Sequence, residues 1–273
     1  MNSEFRTAKA QDGVNETYSF DNIDQVSGVN YSGTATSART VAYNYDATGN
    51  RTSVVDNGTT QNYSTNNLNQ YTTVFGSSIG YDGNGNLTNG GTIQSGLFFY
   101  DAQSRLTRAI VSGNTTDFYY DSKNRVVKRS LNIVPTFLIY DGWNLIDERT
   151  STGTQQARYV HGTQVDELLT KTDSTGVIYY HHDGLGSVTQ ITNAIGTMIE
   201  RYLYDIFGRV TMLALSGTVL TVSSRGNRFF FTGRERIAEA GIYDYRNRVY
   251  SESLGRFLQT DLYWGRSNVQ RFF

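Results

Sequence analysis

The three histidines are the side chains best suited to bind a metal ion, because the chain contains no cysteine. A zinc site would need His161, His181 and His182 together with a carboxylate such as Asp183. His181 and His182 are adjacent, however, and neighbouring residues of a strand point to opposite faces of a sheet. The spacing therefore argues against a shared zinc ion, and we predict no metal and no cofactor.

A second group of side chains has the alternating spacing of a calcium-binding loop. Asp82, Asn84 and Asn86 follow this spacing, but Leu87 stands where the loop requires glycine in order to bend. The loop also lacks the closing glutamate, and Asp82 with Gly85 fits a tight turn equally well. We therefore predict a turn at this position rather than a calcium site.

Arginines alternate with carboxylates near the C-terminal end of the chain. Paired Arg and carboxylate groups form strong hydrogen bonds, so we predict a network that locks this part of the chain rather than a substrate site. The residues concerned are Arg234, Arg246, Arg248 and Arg256 among Glu235, Glu239, Asp244 and Glu252. A serine hydrolase has no support, because the sequence contains no G-x-S-x-G segment.

Short strands and tight turns must position these side chains, as the unit YDIFGRV at residues 204–210 indicates. Asp205 can accept a hydrogen bond from the backbone N–H two residues on, and Gly208 can adopt a positive φ. These preferences predict a type I turn with a bulge. The turn sets Asp205 opposite Arg209 and Tyr204 opposite Val210, and each such pair contributes about 0.2–1 kcal/mol.

Copies of this unit recur along most of the chain. From Tyr45 to Tyr140 the aromatic anchors follow one another at steps of 18, 18, 19, 20 and 20 residues, a regularity typical of stacked repeats. We predict an all-β fold, a strip of antiparallel β-hairpins. The structural repeat residues are Tyr45, Asp46, Gly49, Tyr81, Asp82, Gly85, Tyr100, Asp101, Arg105, Tyr120, Asp121, Arg125, Tyr204, Asp205, Gly208, Arg209, Tyr243, Asp244 and Arg248.

The copies also predict the register of each hairpin. The expected charge pairs are Asp101 with Arg105, Asp121 with Arg125 and Asp244 with Arg248. The expected apolar pairs are Tyr81 with Leu87, Tyr100 with Leu106, Tyr120 with Val126, Tyr140 with Ile146 and Tyr243 with Val249. The fourth turn positions, where a positive φ is expected, are Asp24, Gly49, Asn67, Gly85, Ser104, Asn124, Asn144, Gly186, Gly208 and Asn247.

Composition and charge exclude two classes of partner. Lys plus Arg number 24 and Asp plus Glu 25, with no basic run between aromatic residues, so nucleic acid is not an expected partner. The longest weakly polar run, residues 210–222, is shorter than the roughly 20 residues of a spanning helix, and we predict no membrane span. The polar N-terminus and the lack of cysteine leave the location open.

The repeat pattern predicts four segments. Residues 1–19 form a polar N-terminal segment, 20–179 the repeats, 180–261 a structurally distinct module that closes the array, and 262–273 a short tail. Within that module, residues 227–261 are the densest stretch of aromatic residues and arginine in the chain.

The motifs near the C-terminal end resemble those of a known family. HHDGLGSV, YLYDIFGRV, FTGRE, IYDYRNRVY and LGRFLQTD occur in this order within residues 181–261. With the Tyr-Asp units they resemble the YD-repeat or Rhs family and its repeat-associated core, over nearly all of the chain.

This resemblance implies a strip of hairpins that forms part of a curved or spiral hollow shell. Such shells occur in secreted bacterial polymorphic toxins, cell-wall-associated proteins and insecticidal toxin complexes, where the shell encloses a variable C-terminal toxin. The resemblance therefore implies a secreted or cell-surface location. It also implies a packing role for the HHD residues.

The same resemblance implies a self-cleavage site. In the family an Asp-Pro-x-Gly motif follows the core and a second such motif lies further on. Asp261 matches the first catalytic Asp, with Arg256 as a supporting residue, but Leu262 replaces the proline and the sequence ends at Phe273 before a second motif. Because two carboxylates are needed, one as acid and one as base, we expect no self-cleavage and a fragment that lacks the toxin domain.

Three functions are left open. The least favoured is a self-cleaving protease centred on Asp261, because the second Asp motif is missing. The preferred one is a non-enzymatic shell that encloses or presents a toxin, whose partners are the remainder of an Rhs shell and the encapsulated toxin. The alternative is a cell-surface adhesin that binds glycan, because tyrosine faces can stack on sugar rings while Asp and Asn supply hydrogen bonds.

Overall fold

A computed structural model describes residues 7–11, 13–34 and 36–260. Within them the chain forms β-strands joined by tight turns, and the only helical element there is the 3₁₀ turn Phe231–Gly233. None of these residues belongs to a helix long and apolar enough to cross a membrane. The protein divides into two units, one of the described residues up to 80 with 91–93 and 260, the other of 81–90 and 94–259.

The first unit contains an eight-stranded antiparallel sheet in which the strands follow one another in sequence order. Its buried side chains include Val29, Val41, Tyr43, Tyr63 and Val74. The strands are β1 (Ala8–Gln11), β2 (Val14–Phe20), β3 (Val26–Gly33), β4 (Arg39–Tyr45), β5 (Arg51–Asp56), β6 (Thr59–Thr65), β7 (Tyr71–Val74) and β8 (Ser77–Ser78).

The second unit is built on a 15-stranded antiparallel sheet, again in sequence order. Its first strands are β9 (Gly80–Tyr81), β10 (Leu87–Gly90), β11 (Gln94–Tyr100), β12 (Leu106–Val111), β13 (Asn114–Tyr120), β14 (Val126–Leu131), β15 (Val134–Asp141) and β16 (Asn144–Arg149). The remaining strands are β17 (Gln155–His161), β18 (Leu168–Asp173), β19 (Gly176–His182), β20 (Val188–Thr192), β21 (Met198–Tyr204), β22 (Val210–Ala214) and β23 (Val219–Leu220).

A separate four-stranded antiparallel sheet completes this unit. It consists of β24 (Glu235–Ile237), β25 (Ile242–Asp244), β26 (Val249–Ser251) and β27 (Arg256–Phe257). The succession of antiparallel hairpins confirms the all-β prediction. The predicted boundary between residues 179 and 180 lies within β19.

One set of hydrogen bonds closes most of the repeat turns. The Asp101 carbonyl accepts the Ser104 N–H at 2.9 Å, and the Asp101 N–H donates to the Arg105 carbonyl at 3.1 Å. The Asp101 carboxylate accepts the N–H groups of Gln103 and Arg105, and Ser104 has a φ of 59°. The same backbone bonds close the turns that begin at Asp21, Asp46, Asn66, Asp82, Asp121, Thr150, Asp183, Asn193 and Asp205.

The register follows the sequence prediction at three hairpins. The observed pairs are Tyr100 with Leu106, Tyr120 with Val126 and Tyr204 with Val210. Local turn chemistry therefore determines which residues face each other in these copies.

The prediction for Tyr140 was wrong by one residue. Tyr140 pairs with Leu145 rather than Ile146, because Asp141 faces Asn144 and a two-residue loop closes the hairpin. The positive φ lies at Gly142, at 57°, and not at Asn144.

Two further turns begin later than predicted. The turn after β6 starts at Asn66, so the positive φ of 59° falls on Asn69 and not on Asn67. In the last copy the Tyr245 N–H bonds to the Arg248 carbonyl, and the positive φ lies at Arg246 rather than Asn247. That shift pairs Tyr243 with Tyr250 and Asp244 with Val249. The predicted pairings of Tyr243 with Val249 and of Asp244 with Arg248 were therefore wrong.

The large sheet of the second unit has one covered face and one open face. Phe98 is 1% exposed, whereas the adjacent Phe99 is 45% exposed. Alternation of this kind recurs along the strands, with Tyr180 buried beside the exposed Tyr179. Residues 223–259, which we name the closing segment, lie on the covered face.

Candidate functional site

Four of the repeat tyrosines link their hairpin to the one before it. The Tyr120 hydroxyl donates to the Leu106 carbonyl at 2.7 Å. Equivalent bonds join Tyr45 to Val26, Tyr100 to Leu87 and Tyr204 to Val188, at 2.6–2.9 Å. His161 takes the tyrosine's place in another copy, with its Nε2 2.8 Å from the Leu145 carbonyl. The sequence reading missed this role of His161, although its position ahead of a turn was a usable signal.

The repeat arginines join successive copies through their side chains. Arg105 forms an ion pair with Asp101 at 2.6 Å, and its guanidinium lies 5.0 Å from the ring centroid of Tyr120. Arg125 repeats this arrangement with Asp121 at 2.6 Å and with Tyr140 at 5.3 Å. Hydrogen bonds and these arginines outweigh the desolvation of Asp101 and Asp121, so the pKa of each carboxyl is lowered.

The pair predicted between Asp205 and Arg209 takes another form. The Asp205 carboxylate accepts the backbone N–H groups of Phe207 and Arg209, each at 2.9 Å. The Arg209 guanidinium donates instead to Ser253 Oγ at 3.4 Å. Burial raises the pKa of Asp205, because the closing segment lies over this turn.

Aromatic stacking holds the closing segment on the sheet. Three consecutive phenylalanines contact three sheet tyrosines, with ring centroids 5.0–5.8 Å apart: Phe229 on Tyr159, Phe230 on Tyr202 and Phe231 on Tyr204. Backbone bonds add to these contacts, since the Val188 N–H donates to the Phe230 carbonyl at 2.9 Å and the Leu87 N–H to the Leu258 carbonyl at 2.8 Å. Tyr243 contributes through its hydroxyl, which donates to the Gly208 carbonyl at 2.9 Å.

A network of buried charges joins the closing segment to the middle of the sheet. Glu235 lies 2.6 Å from Arg129 Nη1 and 3.0 Å from Arg228 Nε. Arg228 also donates to Glu148 at 3.0 Å, and the Tyr159 hydroxyl donates to Glu148. Burial alone would raise the pKa of Glu235, but the charges of Arg129 and Arg228 outweigh it and lower the pKa.

A second cluster of charges fixes the loop between β17 and β18. The Asp166 carboxylate forms ion pairs with Arg234 at 2.9 Å and with Arg246 at 2.8 Å. The backbone passes so close here that a Cβ on Gly233 would lie 2.6 Å from the Asp166 carbonyl oxygen, and Gly233 has a φ of 72°. Burial lowers the pKa of Arg234 despite the charge of Asp166.

A cavity of about 60 Å³ lies between this cluster and the sheet. Its lining includes Tyr140, Trp143, His161, Asp166, Glu235 and Asp244. Burial, and then the charge of Glu235, raise the pKa of Asp244 to about 6. A cavity of this size has room for a few water molecules.

The arginine network predicted from sequence forms largely with partners that the sequence did not indicate. Arg234 and Arg246 bind Asp166, whereas Arg236 pairs with Glu252 at 2.6 Å. The guanidinium of Arg248 lies 3.8 Å from the ring centroid of Phe257.

Of the two residues named for self-cleavage, the structure describes only Arg256. Asp261 lies outside the described residues. Arg256 is 8% exposed and pairs with Ser251 across β26 and β27.

Among the described residues no group of three His, Asp or Glu side chains is placed to hold a metal ion. His181 Nε2 lies 3.1 Å from Thr192 Oγ1, and burial lowers the pKa of His182. Both oxygens of Asp82 serve its turn, accepting the N–H groups of Asn84 and Asn86 and the Asn86 side-chain amide at 2.9 Å.

Comparison with known proteins identifies the family of this chain. The family model of the teneurin YD-shell matches residues 3–271. The tRNA3(Ser)-specific nuclease WapA of Bacillus spizizenii is 30% identical over 230 residues, and the tRNA nuclease WapA of Bacillus subtilis strain 168 is 30% identical over 246 residues. Each of these matches covers 81% of this chain, which spans only 10% of either relative.

Two solved structures were also similar to this chain. The crystal structure of TcdB2-TccC3 has a TM-score of 0.48 at 14% identity, over 92% of this chain and 17% of the other. The Photorhabdus luminescens Tc holotoxin pore has a TM-score of 0.46 at 13% identity, over 91% of this chain and 17% of the other.

Proposed function

This chain belongs to the teneurin YD-shell family, and we propose that it acts as a structural shell scaffold rather than as an enzyme. The observation that carries the proposal is the covered face of the large sheet. Stacked aromatic rings and buried ion pairs hold the chain's own closing segment against that face. The cavity beside it, of about 60 Å³, has room for a few water molecules.

The cargo of this scaffold is a toxin domain, as in the shells that the sequence resembles. The WapA relatives are tRNA nucleases by name, and this chain spans 10% of them. We assign to this chain the scaffold role and not the nuclease activity. In this role residues 20–179 supply repeats, and residues 180–261 supply the core that closes them.

A secreted or cell-surface location belongs to the same proposal. It rests on the kinds of protein that carry such repeats. Immunodetection on intact cells, before and after surface proteolysis, tests it directly.

A glycan-binding adhesin is the second candidate, and the open face of the sheet favours it. Phe99, Tyr119 and Tyr179 are 45%, 46% and 41% exposed there, enough for a ring to stack on a sugar. A glycan array with the wild type and Tyr119→Ala discriminates the two functions. Specific glycan binding by the wild type that is lost in this variant supports the adhesin. An array on which the wild type binds no glycan supports the scaffold alone.

Protease protection tests the scaffold. In a protein that joins this chain to a toxin domain, the toxin domain is expected to resist trypsin, and Phe230→Ala is expected to weaken this resistance by loosening the closing segment. Phe99→Ala, a matched change on the open face, is expected to leave it intact. Equal digestion of all three proteins, or cleavage of tRNA by residues 7–260 alone, would contradict the proposal.

A further inference from the structure

Glu235 and Asp244 face each other directly across β24 and β25. Both line the cavity beneath the closing segment. Negative charges placed directly opposite each other on neighbouring strands repel and destabilise the pair. The pair can therefore carry one negative charge more easily than two.

The charge of Glu235 helps to hold the closing segment on the sheet. Its carboxylate forms ion pairs with Arg129 of β14 at 2.6 Å and with Arg228 of the closing segment at 3.0 Å. These contacts require Glu235 to be ionised. Any further negative charge must therefore reside on Asp244.

The cations near Asp244 are bound to other carboxylates. Arg234 and Arg246 bind Asp166, and Arg125 binds Asp121. The Asp244 carboxylate accepts the backbone N–H of Arg246 at 2.6 Å. The titratable and charged groups that face or influence it are Glu235, Arg234, Arg246, Arg129, Arg125, Tyr120, Tyr140, His161 and Asp166.

We propose that the Glu235–Asp244 pair is a pH-sensitive contact that holds the closing segment more firmly at mildly acidic pH than at neutral pH. At pH near 5 the pair carries one charge, on Glu235, and the ion pairs with Arg129 and Arg228 are intact. At neutral pH the second charge forms on Asp244, at the joint between the closing segment and the sheet. The contact operates within this chain and does not depend on whether a toxin is enclosed.

The direction follows from the pKa of Asp244, which burial and the charge of Glu235 raise from 3.8 to about 6. A carboxyl with a raised folded-state pKa contributes stability that is fully present below its unfolded pKa and is lost as pH rises through the folded value. Between pH 5 and pH 8 this change weakens closure by about tenfold. Glu235, whose pKa is lowered, stays ionised across the same range.

Hydrogen exchange of the full 273-residue chain tests this inference. Amide protection in peptides from residues 235–251 is compared between the wild type and Asp244→Asn at pH 5 and pH 8. The ratio of the wild-type protection factor to that of the variant, taken at each pH, cancels the intrinsic dependence of exchange on pH. We expect this ratio to fall about tenfold from pH 5 to pH 8.

Asp121→Asn is the matched control, because the pKa of the Asp121 carboxyl is lowered and it remains ionised from pH 5 to pH 8. This variant is expected to follow the wild-type pH dependence. Should Asp244→Asn not fold, Asp244→Ser provides a smaller neutral side chain that can still accept the Arg246 N–H. Equal pH dependence in the wild type and the neutral variant would overturn the inference.

Discussion

The hydroxyl of Tyr120 donates a hydrogen bond to the backbone carbonyl of Leu106 at 2.7 Å, and so joins one hairpin to the next. The bond recurs at other repeat tyrosines. The repeat therefore selects tyrosine for its hydroxyl as well as for its ring, because phenylalanine would fill the same space and leave the carbonyl without this donor.

Tyr120→Phe tests that role. Removing the hydroxyl is expected to lower the free energy of unfolding by about 1–2 kcal/mol, because the Leu106 carbonyl loses its partner. Urea unfolding followed by circular dichroism measures the change. Tyr119→Phe, at an adjacent residue that is 46% exposed, is the control and should leave stability unchanged; equal losses in both variants would refute the role.

Arg228→Met tests the buried charge network. The substitution leaves the carboxylates of Glu148 and Glu235 with less compensation, and it is expected to lower the free energy of unfolding by about 3–5 kcal/mol. The midpoint of urea unfolding reports the loss. Arg108→Met removes the partner of Asp117 at an exposed position and should leave the midpoint unchanged. A similar midpoint for both variants would show that the network contributes little.

Gly208→Ala tests the contact between a repeat turn and the closing segment. Gly208 has a φ of 83°, and a Cβ there would lie 2.4 Å from the Phe231 ring. The expected destabilisation is about 2–4 kcal/mol, from backbone strain and overpacking together. Gly196 has a φ of 79° and open space around it, so Gly196→Ala should lose only about 1–2 kcal/mol. Thermal unfolding of the two variants separates the contributions, and equal losses would argue against the contact.

Asp101→Asn separates the charge of a repeat turn from its capping role. Asparagine can still cap, as Asn193 does in this chain by accepting the N–H groups of Ile195 and Thr197. The variant therefore loses only the ion pair with Arg105, worth about 0.2–1 kcal/mol at pH 7.

The sign of the pH effect follows from the lowered pKa of Asp101. The stability of this pair is present above pH 3.8 and is lost as pH falls through the lowered folded value. Urea unfolding should therefore separate wild type and variant at pH 7 and bring them together in stronger acid. A difference that persists unchanged in acid would rule out the ion pair as its cause.

Much of the fold could be predicted from sequence because each turn is determined by residues that are close together in the chain. Asp101 and Gly208 encode their turns within five residues, and the register of Tyr100 and Tyr204 follows from the turn. The same reasoning failed at residues 66–70, where asparagines at 66, 67 and 69 offered several acceptable turn positions. It also failed at Asp141, where a two-residue loop competed successfully with the repeat turn.

The closing contacts could not be predicted because their partners are distant in sequence. Glu148 and Arg228 are 80 residues apart, and Arg129 and Glu235 are 106 residues apart. No local sequence pattern marks such pairs. The pairing of neighbouring strands also does not determine which arginine of the sheet contacts the closing segment. The sequence indicated that the Arg and Glu residues near the C-terminal end form a network, but not that β14 and β16 supply half of it.

An electron cryomicroscopy structure of this chain joined to a toxin domain would test the central claim most directly. The scaffold account predicts that each unit keeps its antiparallel hairpins, that the closing segment occupies the covered face of the large sheet, and that the toxin domain packs against the hairpins. A covered face vacated by residues 223–259 and occupied by a bound substrate would contradict it.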